Sequence, residues 1–249
     1  MKLYLFLLLI FSSYVEAKCL NKPTVIAVID TGFGYFNKGH EAKLCQFGHK
    51  DFTIDRKFDS DYGTIDPIPT DVHAHGTNVI GLIDNYLKGD NNNYCIVVLK
   101  FYSLSHTGKQ NIEASIKAIE YATNIRADFI NYSGGGPEWV DSEFRAVHTF
   151  LDSGGTFVAA AGNNSQNLGS LRNSYYPAMY DSRVIIVGNM SLYGVRSKTS
   201  NYGKIVKYWE YGENASAYGI TMTGTSQATA IKTGKTVRNL GNKCDIGKQ

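Results

Sequence analysis

Val25-Ile-Ala-Val-Ile-Asp-Thr-Gly32 sets five consecutive apolar residues before a carboxylate, a hydroxyl and a glycine. A strand with one wet face would alternate polar and apolar residues. A short, unbroken run of mostly branched side chains instead suits a strand covered on both faces, as in parallel sheets flanked by helices. Comparable runs recur at Cys95-Ile-Val-Val-Leu99, Phe129-Ile130, Thr156-Phe-Val-Ala-Ala160 and Arg183-Val-Ile-Ile-Val187. Helix-like stretches separate them at residues 76–86, 111–125 and 140–151; in the second, Ile112, Ile116 and Ile119 recur at helical spacing. This alternation predicts an α/β fold, a three-layer sandwich with a mostly parallel central sheet and a ligand site beyond the carboxyl ends of its strands.

Chemistry-bearing residues fall where such a sheet would gather them. Asp30 immediately follows the first run and Asn163 follows the run that closes at Ala160 or Ala161, so both reach one rim. His75 in His75-Gly-Thr and Ser226 in Gly224-Thr-Ser-Gln-Ala228 each open a helix beside that rim. A serine hydroxyl is a weak nucleophile at neutral pH. It needs an imidazole to take its proton and a buried carboxylate to orient that imidazole. The tetrahedral oxyanion needs donors, which the Ser226 backbone N–H and the Asn163 amide can supply. Taken singly, each residue has a plain structural role: a turn after a strand, a capped helix start, a turn asparagine. His73 and His75 lack a further ligand at metal spacing, and Gly32-Phe-Gly34 lacks the third glycine of a dinucleotide fingerprint.

The order Asp, His, Ser, with these flanking residues, resembles the subtilisin-like serine peptidases. The resemblance spans nearly all of residues 24–240. It includes Val28-Ile-Asp-Thr-Gly32, His75-Gly-Thr-Asn-Val-Ile-Gly81, Ile130-Asn-Tyr-Ser133, Ala159-Ala-Ala-Gly-Asn163, Tyr176-Pro-Ala178, Val184-Ile-Ile-Val-Gly188, Ser200-Asn-Tyr-Gly203 and Gly224-Thr-Ser-Gln-Ala228. It implies that Ser226 is the nucleophile, His75 the general base, Asp30 its orienting carboxylate and Asn163 an oxyanion donor. It also implies that Ser133, Gly134 and Gly135 on one side, and Ala160, Ala161 and Gly162 on the other, wall a groove for an extended peptide. Small residues on both walls leave room for a large apolar side chain. The sequence departs from the family at Asn78, where a second histidine is usual, at Ala230, where a proline is usual, and at Gly134, where a leucine is common.

Residues 1–17 combine Lys2, an apolar run over residues 3–11 and a small residue at Ala17, the pattern of an export signal too short to anchor in a bilayer. The expected mature chain, residues 18–249, forms one peptidase domain without a prosegment, secreted or periplasmic and not membrane-bound. A net charge of +3 without a basic stripe gives no reason to invoke nucleic acid. The expected partners are a protein or peptide substrate and a separate inhibitor or folding helper; the chain itself is expected to be a monomer. No cofactor or metal is expected; calcium, common in the family, finds no oxygen-ligand set at Asp90 or in residues 59–66. Four cysteines in an exported chain favour two disulfides, with three pairings open; their positions make Cys19–Cys244 with Cys45–Cys95 the expected one.

Overall fold

The structure, a computed structural model, describes residues 22–34, 41–53, 68–89, 93–170 and 172–246, the last six as backbone only. The expected signal segment, Cys19, Asp90 and residues 59–66 lie outside these. Among the described residues nine strands and four helices alternate: β1 Thr24–Asp30, β2 Lys50–Asp51, α1 His75–Leu87, β3 Tyr94–Lys100, α2 Gly108–Asn124, β4 Phe129–Tyr132 and α3 Asp141–Asp152. They continue with β5 Thr156–Ala160, β6 Ile185–Asn189, β7 Tyr208–Glu210, β8 Ala215–Ala217, β9 Ile220–Met222 and α4 Thr225–Ile246. Seven strands form one parallel sheet in the order β2-β3-β1-β4-β5-β6-β7, and β8 and β9 make a small antiparallel pair.

Successive residues of each strand enter opposite cores, which explains the unbroken apolar runs. Ala27, Ile29, Val97, Leu99, Ile130 and Phe157 pack with Ile119 of α2 and Val147 and Phe150 of α3. Ile26, Val28, Ile96, Val98, Phe129 and Val158 pack with Val79, Ile80 and Ile83 of α1 and Ala228 and Val237 of α4. Each fully buried large side chain contributes about 1.5–3 kcal/mol from leaving water. Three layers result, as the alternation predicts.

Differences from the expected boundaries have local causes. Helix α2 starts at Gly108, because Thr107 and Gln110 form a reciprocal capping box ahead of the first isoleucine. Asp30 is the last residue of β1, in register with Lys100, rather than the first residue beyond it. The short strands β2, β7, β8 and β9 carry no apolar run and were not legible. Cys45 and Cys95 are bonded, tying the loop before β2 to β3; the other expected bridge involves Cys19, outside the described residues.

Parallel strands send all their carboxyl ends to one edge. Strand order reverses at β1, whose neighbours are β3 and β4, and Ile29 lies in register with Tyr132. Asp30 and Ser133, each one residue further along, therefore emerge side by side at this switch point.

Candidate active site

Asp30 is almost fully buried, and its Oδ1 accepts from His75 Nδ1 at 2.7 Å and from Thr31 N at 2.7 Å. A carboxylate can only accept, so Nδ1 carries the proton and Nε2 of a neutral ring holds the free lone pair. Burial pushes the imidazolium down, but the charge and hydrogen bond of Asp30, together with the charge of Asp71, hold the His75 pKa above its usual 6.5.

Asp71 is a site residue that sequence reasoning missed. Its carboxylate accepts five hydrogen bonds: Oδ1 from Thr31 Oγ1, His73 N and Ala74 N, and Oδ2 from Thr77 N and Thr77 Oγ1, at 2.6–2.9 Å. Burial raises its pKa, but the bonds from Thr77, His73 and Thr31 outweigh burial and hold it below 3.8. These contacts satisfy donors at the start of α1, where Ala74 sits at φ 69, a left-handed conformation costly for a residue with a Cβ. Thr31 joins the two carboxylates, since its N–H meets Asp30 while its hydroxyl donates to Asp71 and accepts from Gly76 N at 2.8 Å.

Ser226 is the second residue of α4. Its Oγ donates to the Ser133 carbonyl at 3.1 Å and not to His75. Ala228 N, bonded to Gly224 O, is the first amide of this helix to bond backwards, which leaves the amides of residues 225–227 without helical partners. Thr225 N finds one in Asn163 Oδ1 at 3.0 Å. The atom facing an N–H must be the oxygen, so Nδ2 of exposed Asn163 turns away; it makes no hydrogen bond among the described residues. Among the described residues, the Ser226 N–H and Asn163 Nδ2 are thus both without a hydrogen-bond partner at one helix start.

The two groove walls differ. Ser133, Gly134 and Gly135 line an open cleft of about 1030 Å³ that also reaches Asp30, His73 and His75. Ala160, Ala161 and Gly162 do not line it: the alanine side chains are buried, and Asn201 binds the carbonyls of Ala161 and Gly162 at 2.7 and 2.9 Å. Nor is the space between the walls open to a large apolar side chain, as the small residues suggest, because the ring of Tyr175 occupies it. At Gly134, where a leucine is common, a Cβ would meet Phe101 and Tyr132 at 3.0 and 3.2 Å.

The other departures are accommodated in the core. Asn78, fully buried, donates to the Ala215 and Ile220 carbonyls and accepts from Gln227 Nε2 at 3.0 Å, tying α1 to β8, β9 and α4. Ala230 is fully buried against the α1 side of the sheet.

A parallel sheet with a carboxylate–imidazole pair and a helix-start serine at one edge narrows the class of fold sharply. The subtilase family model matches residues 21–240, and the chain belongs to that family. It is 31% identical over 218 residues to the major intracellular serine protease of Bacillus subtilis (strain 168), covering 83% of this chain and 65% of that one. It is 37% identical over 139 residues to subtilisin DY of Bacillus licheniformis, covering 54% and 49% respectively. The chain thus spans about half to two thirds of the length of these relatives. Among solved structures, a cold-adapted subtilisin-like serine proteinase superposes with a TM-score of 0.70 at 26% identity, over 89% of this chain and 78% of that one. A lanthipeptide protease, at 18% identity and a TM-score of 0.72 over 91% and 75%, shares the fold.

Proposed function

We propose that this chain is an exported serine endopeptidase that cleaves peptide bonds through an acyl-enzyme on Ser226. The observation that carries the reading is the 2.7 Å Asp30–His75 pair at the sheet edge where α4 begins with its serine. In this reaction the Ser226 hydroxyl turns from the Ser133 carbonyl and gives its proton to His75 Nε2 as Oγ attacks the carbonyl carbon. Asp30 steadies the imidazolium that forms. The Ser226 N–H and Asn163 Nδ2 receive the negative charge on the former carbonyl oxygen. His75 then protonates the leaving amine, and a water, deprotonated by the same nitrogen, frees the acid. Family membership supports a protein or peptide substrate. Export is supported by the pattern of residues 1–17 and by the Cys45–Cys95 bridge, a linkage typical of oxidising compartments. Among the described residues no helix is long and apolar enough to cross a membrane.

A second reading, a peptide-binding relative without turnover, draws on the Ser226 hydroxyl resting on Ser133 rather than on His75. A fluorophosphonate probe separates the two. Stoichiometric labelling of Ser226, lost in His75→Ala, supports the enzyme; folded protein that resists the probe supports the binding reading.

A further inference from the structure

Ser226 heads one wall through its bond to the Ser133 carbonyl, and Asn163 directly follows Gly162 at the head of the other. On the peptidase reading, the groove that the family resemblance implies takes the side chain on the acyl side of the cleaved bond between residues 133–135 and 160–162. Tyr175 already occupies that slot. A Cβ built on Gly135 would lie 2.5 Å from Tyr175 Cε1, one built on Gly162 would lie 2.7 Å from Cε2, and both would lie 2.8 Å from Cζ. Opposite edges of one ring tip thus touch opposite walls, and each wall needs glycine at the contact.

The backbone beneath the ring is held in place. Tyr175 N donates to Met179 Sδ at 3.2 Å, and Met179 N donates to the Tyr175 carbonyl at 3.0 Å. The next residue, Tyr176, exchanges two hydrogen bonds with Gly136, while its ring stacks on Tyr180 at 4.6 Å and meets Trp139 edge-on. Burial raises the phenol to about 12, so the hydroxyl stays protonated at neutral pH. It makes no hydrogen bond among the described residues, and Tyr175 forms part of the cleft lining.

We infer that Tyr175 sets the specificity of the site for the residue on the acyl side of the cleaved bond, admitting glycine, alanine or serine and rejecting aromatic and long aliphatic side chains. A close-packed slot cannot take a second ring without expelling the first, and the binding energy of a large apolar side chain is forfeited. One methylene too many in such a pocket already costs about 10–200-fold in discrimination.

The test uses fluorogenic peptides that differ only in carrying alanine, leucine or phenylalanine at that position. The unaltered chain is expected to favour alanine over phenylalanine by about 10-fold or more in kcat/KM. Tyr175→Ala should reverse the order, and Tyr175→Phe, which keeps the ring, should retain it. A preference for phenylalanine or leucine in the unaltered chain overturns the inference whether or not the variant folds, as does an unchanged order in folded Tyr175→Ala. If no peptide is cleaved, the peptidase reading fails separately. The slot is then read from binding of peptides ending in alanine or phenylalanine to the Ser226→Ala chain, where tighter binding of the phenylalanine peptide overturns the inference and tighter binding of the alanine peptide supports it.

Discussion

Replacing Asp71 by asparagine removes one charge and keeps the shape of the side chain. Asparagine can retain the oxygen that serves Thr31, His73 and Ala74, but its NH2 would face the Thr77 N–H, which then has no acceptor. A hydrogen bond to a charged acceptor is worth about 1.5–3 kcal/mol, so a stability loss of about 2 kcal/mol is expected. The informative consequence is kinetic. Asp71 helps to raise the His75 pKa, as the smallest of the contributions that act on it; without its charge the imidazolium is less favoured and that pKa falls. Only the neutral imidazole can accept the Ser226 proton, so the acid limb of kcat/KM should move to lower pH. The imidazolium formed during attack loses the same support, so the plateau should fall as well, tenfold for each ~1.4 kcal/mol of support lost. KM should change little, because Asp71 is outside the cleft lining. The assay is the pH dependence of kcat/KM for a small chromogenic peptide between pH 5 and 9. An acid limb that stays in place or moves upward refutes the electrostatic role, even if thermal stability drops as expected.

Asn163→Ala should lower kcat by about 10²–10³, a scale taken from subtilisin itself, with KM within about twofold; an unchanged kcat would remove Asn163 from the oxyanion site. Cys45 and Cys95 are 50 residues apart, and closing such a loop restricts the unfolded chain by up to about 4 kcal/mol. Cys45→Ala/Cys95→Ala should therefore melt about 8–15 °C lower by calorimetry, and a change under about 2 °C would contradict this. Burial raises the pKa of Glu143 above 4.5 despite hydrogen bonds from Ser115 and Tyr180. The stability it contributes is fully present below its unfolded pKa and is lost as pH rises through the higher folded value. The melting temperature of Glu143→Gln relative to the unaltered chain should accordingly rise from pH 4 to pH 8, and a flat difference would refute the assignment.

The main sheet was legible because covering both faces of a strand leaves a mark in its own residues. The run over Val25–Ile29 announces β1 without reference to anything distant, and a residue that ends such a strand must appear at its carboxyl edge. Asp30, His75, Asn163 and Ser226 could be placed by that rule and by helix-start patterns alone. Asp71 was hidden in a polar loop, although an acid four residues before a helix-opening histidine is a capping signal that could have drawn notice. Its bond with Thr31 joins residues 40 positions apart.

Local sequence therefore determined the long buried strands, the helices between them and which reactive side chains share an edge, because periodicity and capping act within a few residues; the short strands β2, β7, β8 and β9 left no such mark. What fills the space between two walls was decided only by tertiary structure. Gly135 and Gly162 read as room for a guest, yet Tyr175, brought in from a third segment, already sits between them. The orientation of the Ser226 hydroxyl toward a carbonyl 93 residues away likewise depends on packing that no local pattern encodes.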